Sequence, residues 1–330
     1  MNTIGIVGAG AWGTALAATA RRAGRNVVLW AHEPEVAGAI NATRENPHYL
    51  PGVRLDCCAR ATTVLGEAAA ADAVLLVTPA QHLRATCAAL APHWTAGKPA
   101  VICAKGIEQA TGAMMTEVVE AELPGAAVAV LSGPTFAIEV ARGLPTAVTL
   151  ACADVGLGQA LVEAIGTATF RPYLSDDLIG AEIGGAVKNV LAIGCGIVEG
   201  RGMGDNARAA LITRGLAEIT RLAVAKGGHP ETLTGLSGLG DLILTASSTQ
   251  SRNYSLGLAL GEGRTLAEVL GSRRAVTEGV WTAGAVVAMA ASQGIEMPIC
   301  AAVDAVLNRG ADLDDTIRGL LSRPFRTEGV

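Results

Sequence analysis

One lysine stands in an apolar, glycine-rich stretch where a charged side chain is costly. Lys188 lies within E-I-G-G-A-V-K-N-V-L-A-I-G-C-G-I-V, which covers residues 182–198. The chain has 4 lysines against 21 arginines, so arginine supplies most of its positive charge. A buried ammonium is unfavourable unless it is paired or its pKa falls, and lysine, unlike arginine, can deprotonate. We therefore predict proton chemistry at Lys188; the alternative is a lysine whose head reaches water along a packed stem.

Three further groups of polar residues interrupt apolar sequence. Lys105 directly follows V-I-C-A, the end of a predicted strand, where the alternative is a surface lysine. Asp241, in G-L-G-D, offers a carboxylate whose charge could orient a lysine. The consecutive Ser251, Arg252 and Asn253 supply a hydroxyl, a guanidinium and an amide. Such a set suits a phosphate monoester, although a serine-capped helix start would have the same residues.

The amino terminus has the pattern of a dinucleotide-binding turn. The apolar run at 3–7 predicts a buried strand, and the next strand is predicted at 26–30. Between them stand Gly8-Ala-Gly10-Ala-Trp-Gly13 and a helical pattern. Gly8 would allow the tight turn, Gly10 the approach of the pyrophosphate, and Gly13 the packing of helix on strand. The phosphates would then face the first N–H groups of the helix; a bare tight turn is the alternative.

The residues after the second predicted strand bear on the choice between NADPH and NADH. An acidic residue about 20 positions after the glycines usually binds the ribose of NAD. Here the segment is W-A-H-E-P at 30–34. Ala31 is not acidic and His32 could meet a 2′-phosphate, whereas the acidic Glu33 leaves the choice of cofactor open. We expect NADPH, with NADH left open.

Strand and helix patterns alternate through the first half and predict an α/β fold. Further strands are expected at 73–78, 100–104, 128–131 and 147–151, with helical or loop stretches between them, among them 111–122. This order is typical of a Rossmann-like, mostly parallel sheet. Ligands bind at the carboxyl ends of such strands, which here are polar: Thr78-Pro79, Lys105-Gly106 and Ser132-Gly133-Pro134-Thr135.

Strand patterns largely stop after Lys188, and an all-α helical domain is expected to follow. Residues 206–226 predict an amphipathic helix ended by Gly227-Gly228. Its apolar face would hold Ala210, Leu211, Thr213, Leu216, Ile219 and Leu222, with Arg214, Glu218 and Arg221 elsewhere. Other helices are expected at 266–270, 282–293 and 299–308. The predicted domains are therefore 1–187 for the dinucleotide and 188–330 for substrate, with apolar helices that could form a homodimer face.

Composition excludes several classes of partner. A net charge of -5 and a pI near 5.6 argue against a nucleic-acid surface. The mean hydropathy is +0.40, yet no stretch approaches the ~18 uncharged apolar residues of a membrane span, and no signal peptide precedes the strand at 3–7. The 7 cysteines are odd in number and form no C-x-x-C pair. We expect a reducing cytoplasm and no metal ligand.

Eight motifs, in order, resemble the bacterial type of NAD(P)-dependent glycerol-3-phosphate dehydrogenase over almost the whole chain. In the first half they are G-x-G-x-W-G-T-A at 8–15, N-P-H-Y-L-P-G-V at 46–53, A-K-G-I-E at 104–108 and S-G-P-T-F-A at 132–137. In the second half they are G-G-A-V-K-N-V-L-A-I-G at 184–194, N-A-R-A-A-L-I-T-R-G-L-A-E at 206–218, G-L-G-D at 238–241 and Q-S-R-N at 250–253. Eight matches in sequence are far more specific than any single one.

The resemblance implies a role for each matching residue. Lys188 would exchange the proton between dihydroxyacetone phosphate and sn-glycerol 3-phosphate, the product that feeds glycerophospholipid synthesis. The residues implied to bind substrate are Lys105, Gly133, Thr135, Lys188, Asp241, Ser251, Arg252 and Asn253. Those implied to bind the cofactor are Gly8, Gly10, Ala11, Trp12, Gly13, His32, Lys105, Ala137, Arg252, Val276 and Glu278. Ala11 departs from the serine that is frequent in the family, which leaves that phosphate contact to backbone N–H groups.

Two alternatives stay open at this point. A related NAD(P)-dependent dehydrogenase of hydroxy acids or sugar acids would also place a lysine after a Rossmann-like domain, but its substrate would carry a carboxylate. A non-catalytic dinucleotide sensor would need the glycines and neither lysine. Nor does the sequence settle the protonation of Lys188, because burial and Lys105 would lower its pKa whereas a nearby Asp241 would raise it.

Overall fold

The computed structural model describes residues 1–55, 59–271, 277–325 and 327. By internal contacts the chain divides into two compact units. Unit 1 comprises Met1–Lys105 with Met114–Ala181, and unit 2 comprises Gly106–Ala113 with Glu182–Val330. The sequence predicted a domain boundary between residues 187 and 188. By contacts, unit 1 gives way to unit 2 between Ala181 and Glu182, a few residues earlier in the same helix. The short segment 106–113 that joins unit 2 had no signal in the sequence.

Unit 1 is built on an eight-stranded sheet, as the α/β pattern predicted. The strands are β1 (Thr3–Val7), β2 (Asn26–Trp30), β3 (Glu45–Asn46), β4 (Leu50–Arg54), β5 (Ala59–Thr62), β6 (Ala73–Leu76), β7 (Pro99–Ile102), β8 (Ala127–Ser132), β9 (Thr146–Ala151) and β10 (Phe170–Ser175). The order in the sheet is β10-β9-β8-β7-β6-β1-β2-β5, and β3 pairs with β4 in a separate antiparallel hairpin. Every neighbouring pair of the large sheet is parallel except β8 with β9.

Helices cover this sheet and complete the core of unit 1. They are α1 (Ala11–Arg22), α2 (Pro34–Thr43), α3 (Leu65–Ala69), α4 (Leu83–Leu90), α5 (Met115–Glu122), α6 (Ala137–Ala141) and α7 (Val155–Ile165). The central strands are buried on both faces, which explains why they are apolar without alternation. Thr3–Val7 and Asn26–Trp30 have the predicted bounds.

The sequence analysis missed the two edge strands, β5 and β10, and the hairpin of β3 and β4. In β10, F-R-P-Y-L-S contains Pro172, which cannot donate to a ladder and weakens the strand pattern. In β5, A-R-A-T is short and poor in branched residues. Both lie at the ends of the sheet order, where pairing on one side suffices to hold such sequences extended.

The described residues of unit 2 from Glu182 onward form helices joined by turns, as predicted, whereas its segment Gly106–Ala113 is not helical. Its helices are α8 (Leu178–Gly200), which begins in unit 1, then α9 (Asp205–Ala225), α10 (Pro230–Thr234), α11 (Asp241–Ala246), α12 (Arg252–Gly261), α13 (Leu266–Gly271), α14 (Glu278–Ser292), α15 (Pro298–Asn308) and α16 (Leu313–Leu321). One π-helical turn, Leu236–Gly240, precedes α11. A Cβ on Gly196 would lie 2.1 Å from the Tyr254 carbonyl oxygen, and one on Gly257 would lie 1.9 Å from that of Ile193. The glycines of α8 and α12 therefore let two backbones touch.

The predicted faces of α9 need a correction. Glu218 was expected away from the apolar face, but it is 2% exposed, whereas Ala210 and Thr213 lie on the exposed side. The Glu218 carboxylate accepts hydrogen bonds from the backbone N–H groups of Ile299 (2.8 Å) and Cys300 (3.2 Å). Those groups belong to the first turn of α15, where N–H donors have no partner within the helix. The first turn of α15 thus provides buried hydrogen-bond donors for Glu218, a residue that its hydropathy places on the solvent side.

Among the described residues, one helix is long and apolar enough to cross a membrane by length and composition alone. This helix is α8, and its apolar stretch is fully buried inside the structure. A buried core helix passes the same test, so the finding is weak evidence for a span.

Candidate active site

The glycine turn of unit 1 has the geometry that a bound dinucleotide requires. Gly8 has a φ of +121°, and a Cβ there would lie 2.9 Å from the carbonyl of Val77. A Cβ on Gly13 would lie 1.8 Å from the Gly8 carbonyl oxygen, so α1 packs directly on the turn. A Cβ on Gly10 would meet no atom of the described residues within 4 Å, so the backbone there is open to a ligand. These are the three roles expected of the fingerprint, and the turn fits a pyrophosphate.

The neighbouring cofactor candidates also lie in unit 1. Ala11 and Trp12 form the first turn of α1, whose N-cap Gly10 has no side-chain cap, and the Trp12 Nε1 atom has no hydrogen-bond partner among the described residues. His32 is exposed, and its ring meets that of Trp30 edge-on at 5.9 Å. Ala137 is the first residue of α6. Val276 lies outside the described residues.

Three predicted substrate residues of unit 1 meet at one carbonyl. The Lys105 Nζ atom donates to the Gly133 carbonyl oxygen at 3.0 Å, and the Thr135 hydroxyl donates to the same oxygen at 3.3 Å. Lys105 follows β7 and Gly133 follows β8, two adjacent parallel strands, so both lie at carboxyl ends. Gly133 has a φ of +148°, and a Cβ there would lie 2.9 Å from the Cα atom of Val148. Only glycine fits this turn.

Lys188 is buried and held by two side chains of α11. Its Nζ atom donates to Oδ1 of Asp241 at 2.6 Å and to Oγ1 of Thr245 at 2.7 Å. Lys188 is 6% exposed and Asp241 is 0% exposed. Asp241 and Thr245 are four residues apart and share one face of α11. The carboxylate favours the ammonium form while burial disfavours it, so Lys188 is not a snorkelling lysine but a buried, paired one.

Close backbone packing positions this cluster. A Cβ on Gly184 would lie 2.6 Å from the Ser237 carbonyl oxygen, and one on Gly238 would lie 2.0 Å from the Leu233 carbonyl oxygen. The π-helical turn Leu236–Gly240 therefore lies directly on α8, one turn before Lys188. Such turns are frequent at functional sites because they re-aim the residues that follow them.

The start of α12 carries the predicted phosphate tripeptide. The Ser251 hydroxyl is the N-cap of this helix and accepts from the Tyr254 N–H at 3.2 Å, as the helix-cap alternative proposed. Asn253 is buried; its Nδ2 atom donates to Oδ1 of Asn189 at 2.9 Å, and its Oδ1 atom accepts from the Gly279 N–H at 3.0 Å. A Cβ on Gly279 would lie 2.7 Å from Asn253 Oδ1. The Asn253 amide thus joins α8, α12 and α14.

Arg252 and Glu278 interact within unit 2. The Arg252 side chain reaches solvent, yet the protein atoms around its guanidinium desolvate it and lower its pKa, an effect that the charge of Glu278 opposes. Glu278 is the first residue of α14, where a carboxylate is favoured by the helix dipole. The pair therefore keeps a guanidinium at the start of α12 beside a fixed negative charge.

Sequence reasoning missed two polar residues of this group. Thr245 contacts Lys188, but T-A-S-S-T gave no pattern that distinguished it. Asn189 directly follows Lys188 within the matching motif, which was a signal, although its partner Asn253 stands 64 positions away. Gly279, which follows the predicted cofactor residue Glu278, makes the close contact with Asn253.

The side chains of unit 2 offer a buried, oriented proton on Lys188 and a cation on Arg252, while unit 1 offers a dinucleotide turn. The proton of Lys188 suits acid–base chemistry on a carbonyl, and the cation of Arg252 suits an anionic group. No group of three or more His, Cys, Asp or Glu among the described residues is placed to hold a metal ion.

Comparisons with known proteins agree with this chemistry. Residues 3–157 match the model of the NAD-dependent glycerol-3-phosphate dehydrogenase N-terminus, and residues 177–318 match that of its C-terminus. The chain is 67% identical over 330 residues, all of it and 95% of the relative, to the glycerol-3-phosphate dehydrogenase [NAD(P)+] of Rhodospirillum rubrum. It is 62% identical to that of Parvibaculum lavamentivorans, with 98% of both chains covered.

A solved structure gives the same result. The glycerol-3-phosphate dehydrogenase of Coxiella burnetii superposes with a TM-score of 0.94 at 40% identity, covering 98% of this chain and 99% of that one. Since both family models match and together span most of the sequence, the chain belongs to the NAD-dependent glycerol-3-phosphate dehydrogenase family.

Proposed function

We propose that this protein reduces dihydroxyacetone phosphate to sn-glycerol 3-phosphate with NADPH or NADH, and catalyses the reverse oxidation. The observation that carries the proposal is the buried ion pair of Lys188 and Asp241 in a member of this family. A proton held on a lysine inside an apolar helix has little structural purpose, because a hydrophobic residue of similar size would be at least as stable there. The family role implies that the product supplies glycerophospholipid synthesis.

Lys188 acts as the general acid of the reduction. When bound, the dinucleotide supplies the hydride that adds to the carbonyl carbon. The Lys188 Nζ atom gives its proton to the carbonyl oxygen as negative charge develops there, and neutral lysine remains. Asp241 and Thr245 fix the position of Nζ throughout, since they accept two of its three hydrogens. In the oxidation the same Nζ atom takes the hydroxyl proton.

The phosphate group is recognised by Arg252 with Ser251 and Asn253, and Lys105, Gly133 and Thr135 complete substrate binding. The guanidinium of Arg252 can donate two parallel hydrogen bonds to phosphate, which a lysine cannot do. Ser251 retains its hydroxyl hydrogen while it caps α12, because a cap uses only the oxygen. Asn253 has one Nδ2 hydrogen left beyond its bond to Asn189.

The dinucleotide is held by Gly8, Gly10, Ala11, Trp12, Gly13, His32, Lys105, Ala137, Arg252, Val276 and Glu278 in this proposal. It is supported by the open backbone at Gly10 and by the Trp12 Nε1 atom, which is buried without a hydrogen-bond partner in the part of the chain that the structure describes. Residues 1–187 form the dinucleotide domain and residues 188–330 the substrate domain. Without a serine at position 11, the contact to phosphate there falls to backbone N–H groups.

The test is the oxidation of NADPH with dihydroxyacetone phosphate, followed by absorbance. Parallel assays replace the substrate by dihydroxyacetone or the cofactor by NADH. A further assay tests the oxidation of hydroxy acids in the reverse direction. Turnover restricted to the phosphorylated ketone is expected, because Arg252 requires the phosphate. Turnover of a hydroxy acid but not of glycerol 3-phosphate would overturn the proposed substrate. Dinucleotide binding without any turnover would indicate a non-catalytic dinucleotide sensor instead of an enzyme.

We propose that the protein acts as a homodimer in the cytoplasm. An apolar groove of about 1120 Å³ in unit 2 lies among α8, α9, α15 and α16, and Leu321 at its margin is 72% exposed. The cysteines at 87, 103, 152, 195 and 300 are free and buried, which suits a reducing compartment. Light scattering on a sizing column should give twice the chain mass of 33.3 kDa; a monomer would contradict the dimer.

A further inference from the structure

The N-P-H-Y segment at 46–49 has contacts that the reaction does not explain. Asn46 is fully buried in unit 1, and its Nδ2 atom donates to the Ala9 carbonyl oxygen and to the Thr14 hydroxyl, both at 2.8 Å. Ala9 stands between Gly8 and Gly10, and Thr14 lies in the first turns of α1. Both Nδ2 hydrogens are thereby used. Asn46 fixes the glycine turn from the side of the β3–β4 hairpin.

The same residue positions Tyr49. The Asn46 Oδ1 atom accepts a hydrogen bond from the Tyr49 N–H at 3.1 Å, which closes the turn around Pro47. The Tyr49 hydroxyl donates to Oε1 of Glu33 at 2.8 Å. A continuous set of hydrogen bonds therefore runs from the glycine turn through Asn46 and Tyr49 to the residue that follows the second strand.

The Glu33 carboxylate contacts Tyr49 instead of the backbone of α2. Glu33 is the N-cap of α2, with φ −90° and ψ 123°, but its side chain makes no cap hydrogen bond. The first N–H groups of α2 form the positive end of the helix dipole, which attracts a carboxylate. Those groups lie beside the exposed His32, at the sequence position where this fold binds the 2′ group of the adenosine ribose.

We propose that Tyr49, positioned by Asn46, sets the preference for NADPH over NADH by holding the Glu33 carboxylate away from the 2′-phosphate. The inference rests on the proposed function only in requiring that unit 1 binds a dinucleotide. The 2′-phosphate carries up to two negative charges, so a carboxylate released next to it would repel NADPH. NADH carries a neutral hydroxyl there and would bind about as before.

The test measures dinucleotide binding without substrate, by titration of NADPH and NADH fluorescence. The variants are Tyr49→Phe, the double variant Tyr49→Phe with Glu33→Gln, and a matched control, Tyr173→Phe, which removes the hydroxyl of an exposed tyrosine of β10. We expect Tyr49→Phe to raise the Kd of NADPH roughly tenfold, the effect of about 1.4 kcal/mol, with the Kd of NADH changed less than about twofold. Removal of the charge in the double variant should restore NADPH binding, and the control should match the wild type.

Three results would overturn the proposal. Wild-type Kd values for both cofactors in Tyr49→Phe would show that Glu33 does not move. An equal rise in the Kd of both cofactors would make Tyr49 a purely structural support. The same conclusion would follow if the double variant did not recover NADPH binding. Since no ketone is present, these results are independent of the proposed substrate; a wild type that binds neither dinucleotide would instead overturn both proposals.

Discussion

Lys188 and Asp241 form an ion pair of 2.6 Å about one helical turn beyond the backbone contact of Gly184 with Ser237. Gly184 and Lys188 are four residues apart in α8, and Ser237 and Asp241 are four residues apart across the π-helical turn. The missing side chain of Gly184 lets the two segments touch, and that approach brings the buried charges together. The spacing of the backbones and the chemistry of the site are therefore coupled.

Gly184→Ala should reduce both stability and activity. The added Cβ would lie 2.6 Å from the Ser237 carbonyl oxygen, so α8 or the π-helical turn must shift. We expect a loss of about 1–3 kcal/mol in the free energy of unfolding, measured with urea, and a lower kcat because Asp241 moves with the turn. The control is Gly319→Ala in α16, where the Cβ would meet no atom within 4 Å. Wild-type stability and kcat in Gly184→Ala would contradict this coupling.

Lys188→Ala should abolish turnover and leave cofactor binding nearly intact. The variant lacks the proton carrier, whereas the glycine turn in unit 1 is untouched. Steady-state kcat should fall by at least about a hundredfold, the usual contribution of a general acid, and the Kd of NADPH should stay within about twofold. Lys226→Ala, at the end of α9, serves as the control. A variant that keeps more than about a tenth of the wild-type kcat would exclude Lys188 as the proton carrier.

Arg252→Lys should raise the KM for dihydroxyacetone phosphate strongly. A planar guanidinium that forms two parallel hydrogen bonds becomes a single ammonium, which loses about 1–3 kcal/mol of binding or roughly a factor of ten to a hundred. Steady-state kinetics on the ketone measure this change, and Arg264→Lys, an exposed arginine, is the control. An unchanged KM would remove Arg252 from the phosphate site.

Glu218→Gln should change how stability depends on pH. Burial raises the pKa of Glu218 above its ordinary value of 4.5, although hydrogen bonds from Ile299 and Cys300 oppose the rise. A carboxyl whose folded-state pKa is raised destabilises the fold progressively as pH increases from that ordinary value through the raised one. The glutamine does not titrate. The free energy of unfolding of Glu218→Gln minus that of wild type should therefore be larger at about pH 8 than at about pH 5.

The control for this pH effect is Glu120→Gln, which changes an exposed glutamate of α5. Denaturant unfolding at both pH values measures the difference for each variant. A difference between Glu218→Gln and wild type that is the same at both pH values would contradict the role of burial.

The sequence by itself determined the class of fold and most of its elements. Strands buried on both faces read as apolar runs, and Gly13 packs against near neighbours in the chain, Gly8 and Ile6. The motifs around Lys188 and 250–253 predicted the candidate residues by resemblance. These signals are local, and local patterns survive without knowledge of the fold.

Only the tertiary structure decided which polar side chains meet. Asp241 contacts Lys188 across 53 positions, and Glu33 meets Tyr49 through a hairpin that had no strand signal. Hydropathy assigned Glu218 to solvent because it carries no information about the start of α15, whose first N–H groups need an acceptor that the buried Glu218 carboxyl supplies. Burial and pairing are properties of the space around a side chain, which segments distant in the sequence create, so the chain order alone could not reveal them.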